Sequence, residues 1–173
     1  MVRPIVPGDQ AALSAALEDL KVESRVQRFF YNKTELSGAE LSRLSEPDGV
    51  DHLAYGLAVE LEGEWVPVSV ARCFRDGRER DLAEVAVVTA DMWQGMGAGR
   101  ELMRSLSAAA MEVGIRRWFG AMFSGNHAAK RLLGQFGKLS EERDLGNGVE
   151  EVIYRIEKPE GGFFGESDAG ATL

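Results

Sequence analysis

The chain has 173 residues, 45% hydrophobic and 28% charged, which suits one globular domain with a substantial core. A net charge of −8 argues against a general nucleic-acid binder, because binding by counterion release needs clustered Lys and Arg, and it leaves any anionic ligand dependent on a local site that overrides the field. No run of 18 or more apolar residues and no signal peptide is legible, and the one cysteine, Cys73, has no partner, so a cytoplasmic protein without membrane contact is expected.

"VRPIV" (Val2 to Val6) reads as a short strand ended by Pro7-Gly8, after which Asp9 can cap a helix to Leu20 with Leu13 and Leu17 at helical spacing. "SRVQRFF" (Ser24 to Phe30) continues as a second short helix, and Ser37 to Glu40 is a capping box that opens a third, with Leu41 and Leu44. The period then changes. "HLAYGLAVEL" (His52 to Leu61), "WVPVSVARCF" (Trp65 to Phe74) and "LAEVAVVTA" (Leu82 to Ala90) are apolar, β-branched strand candidates separated by turn-prone residues. Helical spacing returns from Ala98 to Val113 and closes at Gly114. "RRWFGAMF" (Arg116 to Phe123) is a strand, and Asn126 opens a helix that reaches Phe136 and stops at Gly137. "EEVIYRIE" (Glu150 to Glu157) follows the Gly146-Asn147-Gly148 turn as the last strand. The order predicts an α/β (α+β) domain over 1–158, one mixed central sheet with helices packed on it. The Gly-rich stretch from Pro159 lacks periodicity and is expected to be a disordered tail over 159–173.

Chemistry concentrates in "WQGMGAGRELM". Three glycines, Gly95, Gly97 and Gly99, stand in or before the first turn of a helix, where each interior Gly costs ~1 kcal/mol relative to Ala. A strand ending near Thr89, a Gly-rich turn and a helix from Ala98 aim backbone N–H groups and the helix dipole at one spot, which suits a pyrophosphate. Glycine permits close backbone approach and tolerates positive φ. A Walker loop is excluded because Gly99-Arg100-Glu101 lacks the Lys-Ser/Thr pair. The dinucleotide fingerprint is excluded because the glycine spacing is wrong.

Gln94-x-x-Gly97-x-Gly99 between a strand and a helix resembles the acetyl-coenzyme A pyrophosphate loop of the GCN5-related N-acetyltransferases (GNAT). Asn126 stands at the head of a following helix, as the family's second conserved helix begins, and "LLGQFG" closes that helix in a similar way. "VESRVQRFF", "DHLAYGLAV" and "AEVAVV…WQGMGAG" together resemble the catalytic domain of bacterial Pat-type protein lysine acetyltransferases over approximately Ser24 to Tyr154. The resemblance implies the GNAT fold, with a sheet of about six to seven strands. Acetyl-CoA is implied as co-substrate, a protein lysine as acceptor and no metal, with a second copy of the chain as a possible partner. It also assigns the general base to Glu84. Thioester polarisation falls to a backbone N–H of the Ala86, Val87, Val88, Thr89 segment. Pyrophosphate binding falls to Gln94, Gly95, Met96, Gly97, Ala98, Gly99 and Arg100, and Asn126 contacts the pantetheine arm or adjacent backbone. A small-molecule amine acetyltransferase and a CoA-binding module without turnover are the two rival readings. The nucleotide-binding or acyl-CoA synthetase-like domains of larger Pat-type proteins are not legible in these residues.

The residues alone leave Glu84 open between catalysis and a salt bridge to Arg72, Arg78 or Arg80. His52 is the rival base, although a strand-edge residue bonded to a carboxylate such as Asp51 is the plainer expectation. His127, at the helix N-terminus, is expected to be a surface residue, with contact to the cofactor as the alternative. Many family members place a tyrosine seven residues after the asparagine, where it protonates the departing thiolate. Here that position is Leu133, which leaves the general acid unidentified, with Tyr31, Tyr55 and Tyr154 as weaker candidates. Trp65, Trp93 and Trp118 are expected in the core or the cleft wall, and Cys73 is expected to be inert.

Overall fold

The computed structural model of the chain describes residues 1–157. The expected tail over 159–173, and the end of the expected domain at 158, lie outside the described residues. Strand β1 (Val2–Pro4) leads through a 3-10 turn at Pro7–Asp9 to helices α1 (Gln10–Glu18), α2 (Val22–Phe29) and α3 (Gly38–Ser45). Strands β2 (His52–Leu61), β3 (Glu64–Arg75) and β4 (Leu82–Thr89) follow. A second 3-10 turn (Asp91–Trp93) then leads to helix α4 (Ala98–Glu112), strand β5 (Arg117–Phe123), helix α5 (His127–Gly134) and strands β6 (Gly137–Gly146) and β7 (Val149–Ile156). The seven strands form one mixed sheet in the order β1-β2-β3-β4-β5-β7-β6, and only the β4–β5 pair is parallel. No helix among the described residues is long and apolar enough to cross a membrane.

Alternation along the strands divides the two faces. Ala71 and Cys73 of β3 and Ala83 and Val85 of β4 point to one side and meet α4, which buries Leu102, Met103, Leu106 and Ala110 there. Fully buried leucines such as Leu102 and Leu106 each contribute about 1.5–3 kcal/mol. Val70, Arg72 and Phe74 of β3 pair with Val88, Ala86 and Glu84 of β4 and point to the other side, towards α1, α2 and α3. Tight hairpins use the positive φ expected at two-residue turns: Glu62 and Gly63 lie at φ 51° and 85°, Asn147 and Gly148 at 54° and 72°.

Four local readings change. Residues Gly137–Gly146 form strand β6, which the sequence pattern does not announce: beyond Gly137 its residues are exposed, so no apolar alternation marks it. Backbone pairing to β7 holds it, and charged side chains protect this edge, with ion pairs Lys130–Glu142 and Arg143–Glu151. Asp9 does not cap α1 with its side chain; its carboxylate accepts from the Val6 N–H and pairs with Arg3 at 2.6 Å. The first helix ends at Glu18 and α5 at Gly134, each short of the expected Leu20 and Phe136. The Ser37 capping box is present as expected, with Glu40 reaching back to the Ser37 N–H at 2.9 Å.

Candidate active site

The parallel β4–β5 ladder consists of three pairs, Leu82↔Arg117, Ala83↔Trp118 and Glu84↔Phe119, and then stops. Beyond it the strands diverge. Into the gap open the side chains of Val85, Val87 and Met122 and the head of α5, enclosing a cleft of about 130 Å³ with Leu132 and Leu133 on its wall. Helix α2 crosses its mouth: Phe30, a left-handed residue that ends α2, packs its ring 5.3 Å from Phe123 of β5. A second cavity of about 240 Å³ lies on the opposite face of β4, beneath α1, α2 and α3. Arg28, Glu84 and Ala86 line both, so the two spaces adjoin at Glu84.

Glu84 is exposed in this junction, and among the described residues its side chain makes no hydrogen bond or ion pair. The salt-bridge reading fails at each named partner. Arg72 donates to the Leu44 carbonyl at 2.8 Å and Arg80 pairs with Asp51, while Arg78 has no carboxylate within ion-pair distance. Arg28 is the cation facing Glu84; burial pulls its pKa down and the Glu84 charge partly opposes that. Three arginines, Arg28, Arg43 and Arg72, line the larger cavity. Their convergence was not visible in the sequence, where they lie on α2, α3 and β3.

At the far end of β4 the chain enters the glycine turn. Gly95 and Gly97 have φ of 76° and 90°, and Gly97 occupies the N-cap of α4. A side chain at either would meet nothing within 4 Å, so glycine is required here by backbone conformation. Gly99 differs. A Cβ there would stand 3.3 Å from Leu132 Cδ2 and 3.6 Å from Val87 Cγ1, so this glycine lets α4 pack against β4 and α5. Packing is thus a reason for glycine at this position that the sequence pattern did not show. The amides of Gly95, Gly97, Ala98, Gly99 and Arg100 have no backbone acceptor, leaving a nest of N–H groups at the positive end of the fifteen-residue α4. Met92 and Met96 flank it, 81% and 68% exposed.

Gln94 is used to hold the loop. Its amide donates to the Thr89 carbonyl at 3.2 Å, Asp91 at 3.1 Å and Ser24 Oγ at 3.3 Å. Asp91 in turn accepts from the Lys21 N–H at 2.6 Å and from the Ser24 hydroxyl, capping α2 from a loop 70 residues away. No local signal in the sequence marks this link. At the head of α5, Asn126 accepts from the Ala129 N–H at 3.1 Å and lines the smaller cleft. Ala86 and Val88 face the larger cavity, Val87 the cleft, and Thr89 binds Ser69 Oγ at 2.8 Å.

The other candidates stand apart from the junction. His52 is 7% exposed, stacks on Phe74 with ring centroids 4.1 Å apart, and lines neither cavity. Its side chain is not bonded to Asp51: Nε2 is buried without a partner, and Asp48 binds only the backbone N–H. Burial, together with the Arg72 and Arg43 charges, pushes its pKa down to about 4, so it is a neutral packing residue near pH 7. His127 is exposed on the first turn of α5. Tyr154 and Trp118 belong to the core, Tyr55 packs against it, and Tyr31 is exposed; no tyrosine lines either cavity. Trp65 is 52% exposed at the β2–β3 hairpin, in neither core nor cleft. Cys73 is fully buried, which pushes its thiol up to about 12 and away from thiolate chemistry.

A model of the Acetyltransferase (GNAT) family matches residues 15–137. Acetyltransferase Pat of Mycolicibacterium smegmatis is 32% identical over 152 residues, 87% of this chain and 44% of its own length. The chain thus spans less than half of that relative. An acetyltransferase of Pseudomonas aeruginosa is 28% identical over 159 residues, covering 90% of this chain and 82% of that one. Among solved structures, the GNAT domain of S. lividans PAT superposes with a TM-score of 0.76 at 28% identity, over 90% of this chain and 89% of the other. A Salmonella typhimurium structure titled yncA, solved with its cofactor acetyl-CoA, shares the fold at a TM-score of 0.69 and 18% identity, over 93% and 95%.

Proposed function

This chain belongs to the GNAT acetyltransferase family, and on that premise we propose that it transfers the acetyl group of acetyl-CoA to an amine, with a protein lysine as acceptor. The observation that carries the reading is the meeting of the two cavities at Glu84. One cavity opens between the diverging strands β4 and β5, and the other reaches the same carboxylate from the opposite face.

The nest at Gly95 to Arg100 suits the pyrophosphate, and Gln94 positions it by tying the loop to Thr89, Asp91 and Ser24. The cleft between β4 and β5 suits a narrow, extended arm, because Val85, Val87 and Gly120 line a gap that no strand fills. Past Glu84 the cleft-facing edge of β4 has no paired neighbour, so its backbone N–H groups are available to a carbonyl oxygen. Acetyl-CoA would supply the activated thioester carbonyl. Glu84, unpaired and exposed at the junction, would take the proton of the incoming amine, directly or through water, since a free lysine amine is protonated near pH 7 with a pKa of ~10.4. Leu133 is buried in the cleft wall, and no tyrosine replaces it, so no side chain at the cleft is assigned to protonate the departing thiolate.

Support for the lysine acceptor comes from the resemblance to Pat-type protein lysine acetyltransferases, and the geometry above supports the proposed site residues. The test is turnover of acetyl-CoA with lysine peptides, small amines and polyamines. Transfer to peptides supports the reading. Transfer only to small amines selects the first rival, and acetyl-CoA binding without transfer selects the second.

A further inference from the structure

The cavity on the acceptor side of Glu84 holds three guanidiniums that form no ion pair among the described residues. Arg28 from α2, Arg43 from α3 and Arg72 from β3 all line it, and none lies within ion-pair distance of a carboxylate. Two acidic residues share the lining. Glu40 is already engaged, by Lys33 at 2.9 Å and by the Ser37 backbone N–H and hydroxyl, and Glu84 is the group assigned to the amine. Arg72 is 6% exposed with one guanidinium bond, to a carbonyl; Arg43 sits over the Phe74 ring at 4.3 Å. Burial and the repulsion of Arg28 and Arg43 push the Arg72 pKa down to about 10, so both guanidiniums act on the buried Arg72. In a chain of net charge −8, a concentration of cations in one cavity is what a local anion site requires. A lone ammonium entering it would share the space with three guanidiniums.

We infer that the acceptor carries a carboxylate close to the reactive amine, docked on the Arg28–Arg43–Arg72 cluster: for a protein substrate, an acidic residue adjacent to the acetylated lysine. This deepens, and rests on, the assignment of this cavity as the acceptor side of the transfer site. The anion relieves the repulsion among the guanidiniums, makes charge-assisted hydrogen bonds to planar donors suited to carboxylates, and orients the amine towards Glu84.

The test compares matched lysine peptides that differ only in one neighbour of the lysine, Glu, Gln or Lys, together with free amino acids and their decarboxylated amines. The Glu peptide is expected to exceed the Gln peptide by ~10-fold or more in kcat/KM, chiefly through KM, and the Lys peptide to be poorest. Arg43→Gln should bring the Glu-to-Gln ratio close to one, and Arg43→Lys should restore part of it, with melting temperature as the control for folding. Equal kcat/KM for the Glu and Gln peptides, or a preference that survives both Arg43→Gln and Arg72→Gln, overturns the inference. Faster transfer to free amino acids than to any peptide supports the carboxylate site while overturning the protein acceptor. Calorimetry with the same peptides reads the preference without turnover: if acetyl-CoA binds and nothing is acetylated, the transferase reading fails, whereas tighter binding of the Glu peptide than the Gln peptide still supports the anion site and equal binding overturns it.

Discussion

Glu84 and Phe119 form the last pair of the parallel ladder between β4 and β5. A carboxylate at that position stands at the vertex of two diverging strands, held by sheet on one side and open to solvent on the other. The strand therefore fixes its position without any side-chain partner.

Glu84→Gln should leave the melting temperature close to wild type, because no ion pair or side-chain hydrogen bond is lost. Turnover should fall by ~10²–10⁴-fold, the usual scale for a general base. The residual rate should climb with pH as the acceptor amine becomes neutral without help. Rate against pH for both proteins, with acetyl-CoA affinity alongside, checks this; a variant as fast as wild type removes Glu84 from the mechanism.

His52→Gln should change kcat by less than about twofold, since the imidazole lies outside both cavities. It should, however, change the acid limb of stability. The folded pKa of about 4 lies below the unfolded value of 6.5, so the unfolded chain binds the extra proton between them. Wild-type stability is therefore full above pH 6.5 and falls as pH drops towards 4, by roughly 2–3 kcal/mol from this group. Urea unfolding at pH 7 and pH 4.5 should show a smaller pH-dependent loss in the variant. Identical losses would mean that His52 is not the group responsible.

Two glycines of the loop should fail for different reasons. Gly97→Ala puts a Cβ on a residue at φ 90° and should cost ~1–2 kcal/mol through backbone strain alone, with Gly97→Asn costing less. Gly99→Val crowds Leu132 and Val87 and should cost ~1–3 kcal/mol through overpacking, while moving α4 off β4. Thermal unfolding separates the two residues, and calorimetry should show weaker acetyl-CoA binding in both. A Gly99→Val protein as stable as wild type would contradict the packing role.

Asp91→Ala should weaken two elements together. It removes the acceptor of the Lys21 N–H and Ser24 hydroxyl at the start of α2, and one anchor of Gln94 in the loop. The expected loss is ~1 kcal/mol of stability, typical of a lost cap, with a raised KM for acetyl-CoA. If KM stays fixed while stability falls, Asp91 serves α2 alone.

Much of this protein is written in local patterns. Alternation from Leu82 to Thr89, glycines at 95 and 97 and helical spacing from Ala98 place strand, turn and helix in that order, because each depends on residues within a few positions of one another. The same locality puts Glu84 on the strand that leads into the loop and Asn126 at the head of α5. What depends on distant contacts was decided only by the tertiary structure. Strand β6 exists because β7 offers it a backbone edge, so its own exposed, charged residues carry no apolar signature. His52 loses its standing as a base because Phe74 and the surrounding chain bury it, and burial disfavours the charged imidazole. Gly99 faces Leu132 only because α5 packs back against α4. The end of the ladder at Glu84, and the meeting of Arg28, Arg43 and Arg72 beside it, arise from pairing and packing across elements separated by tens of residues, whose geometry no short stretch of sequence contains.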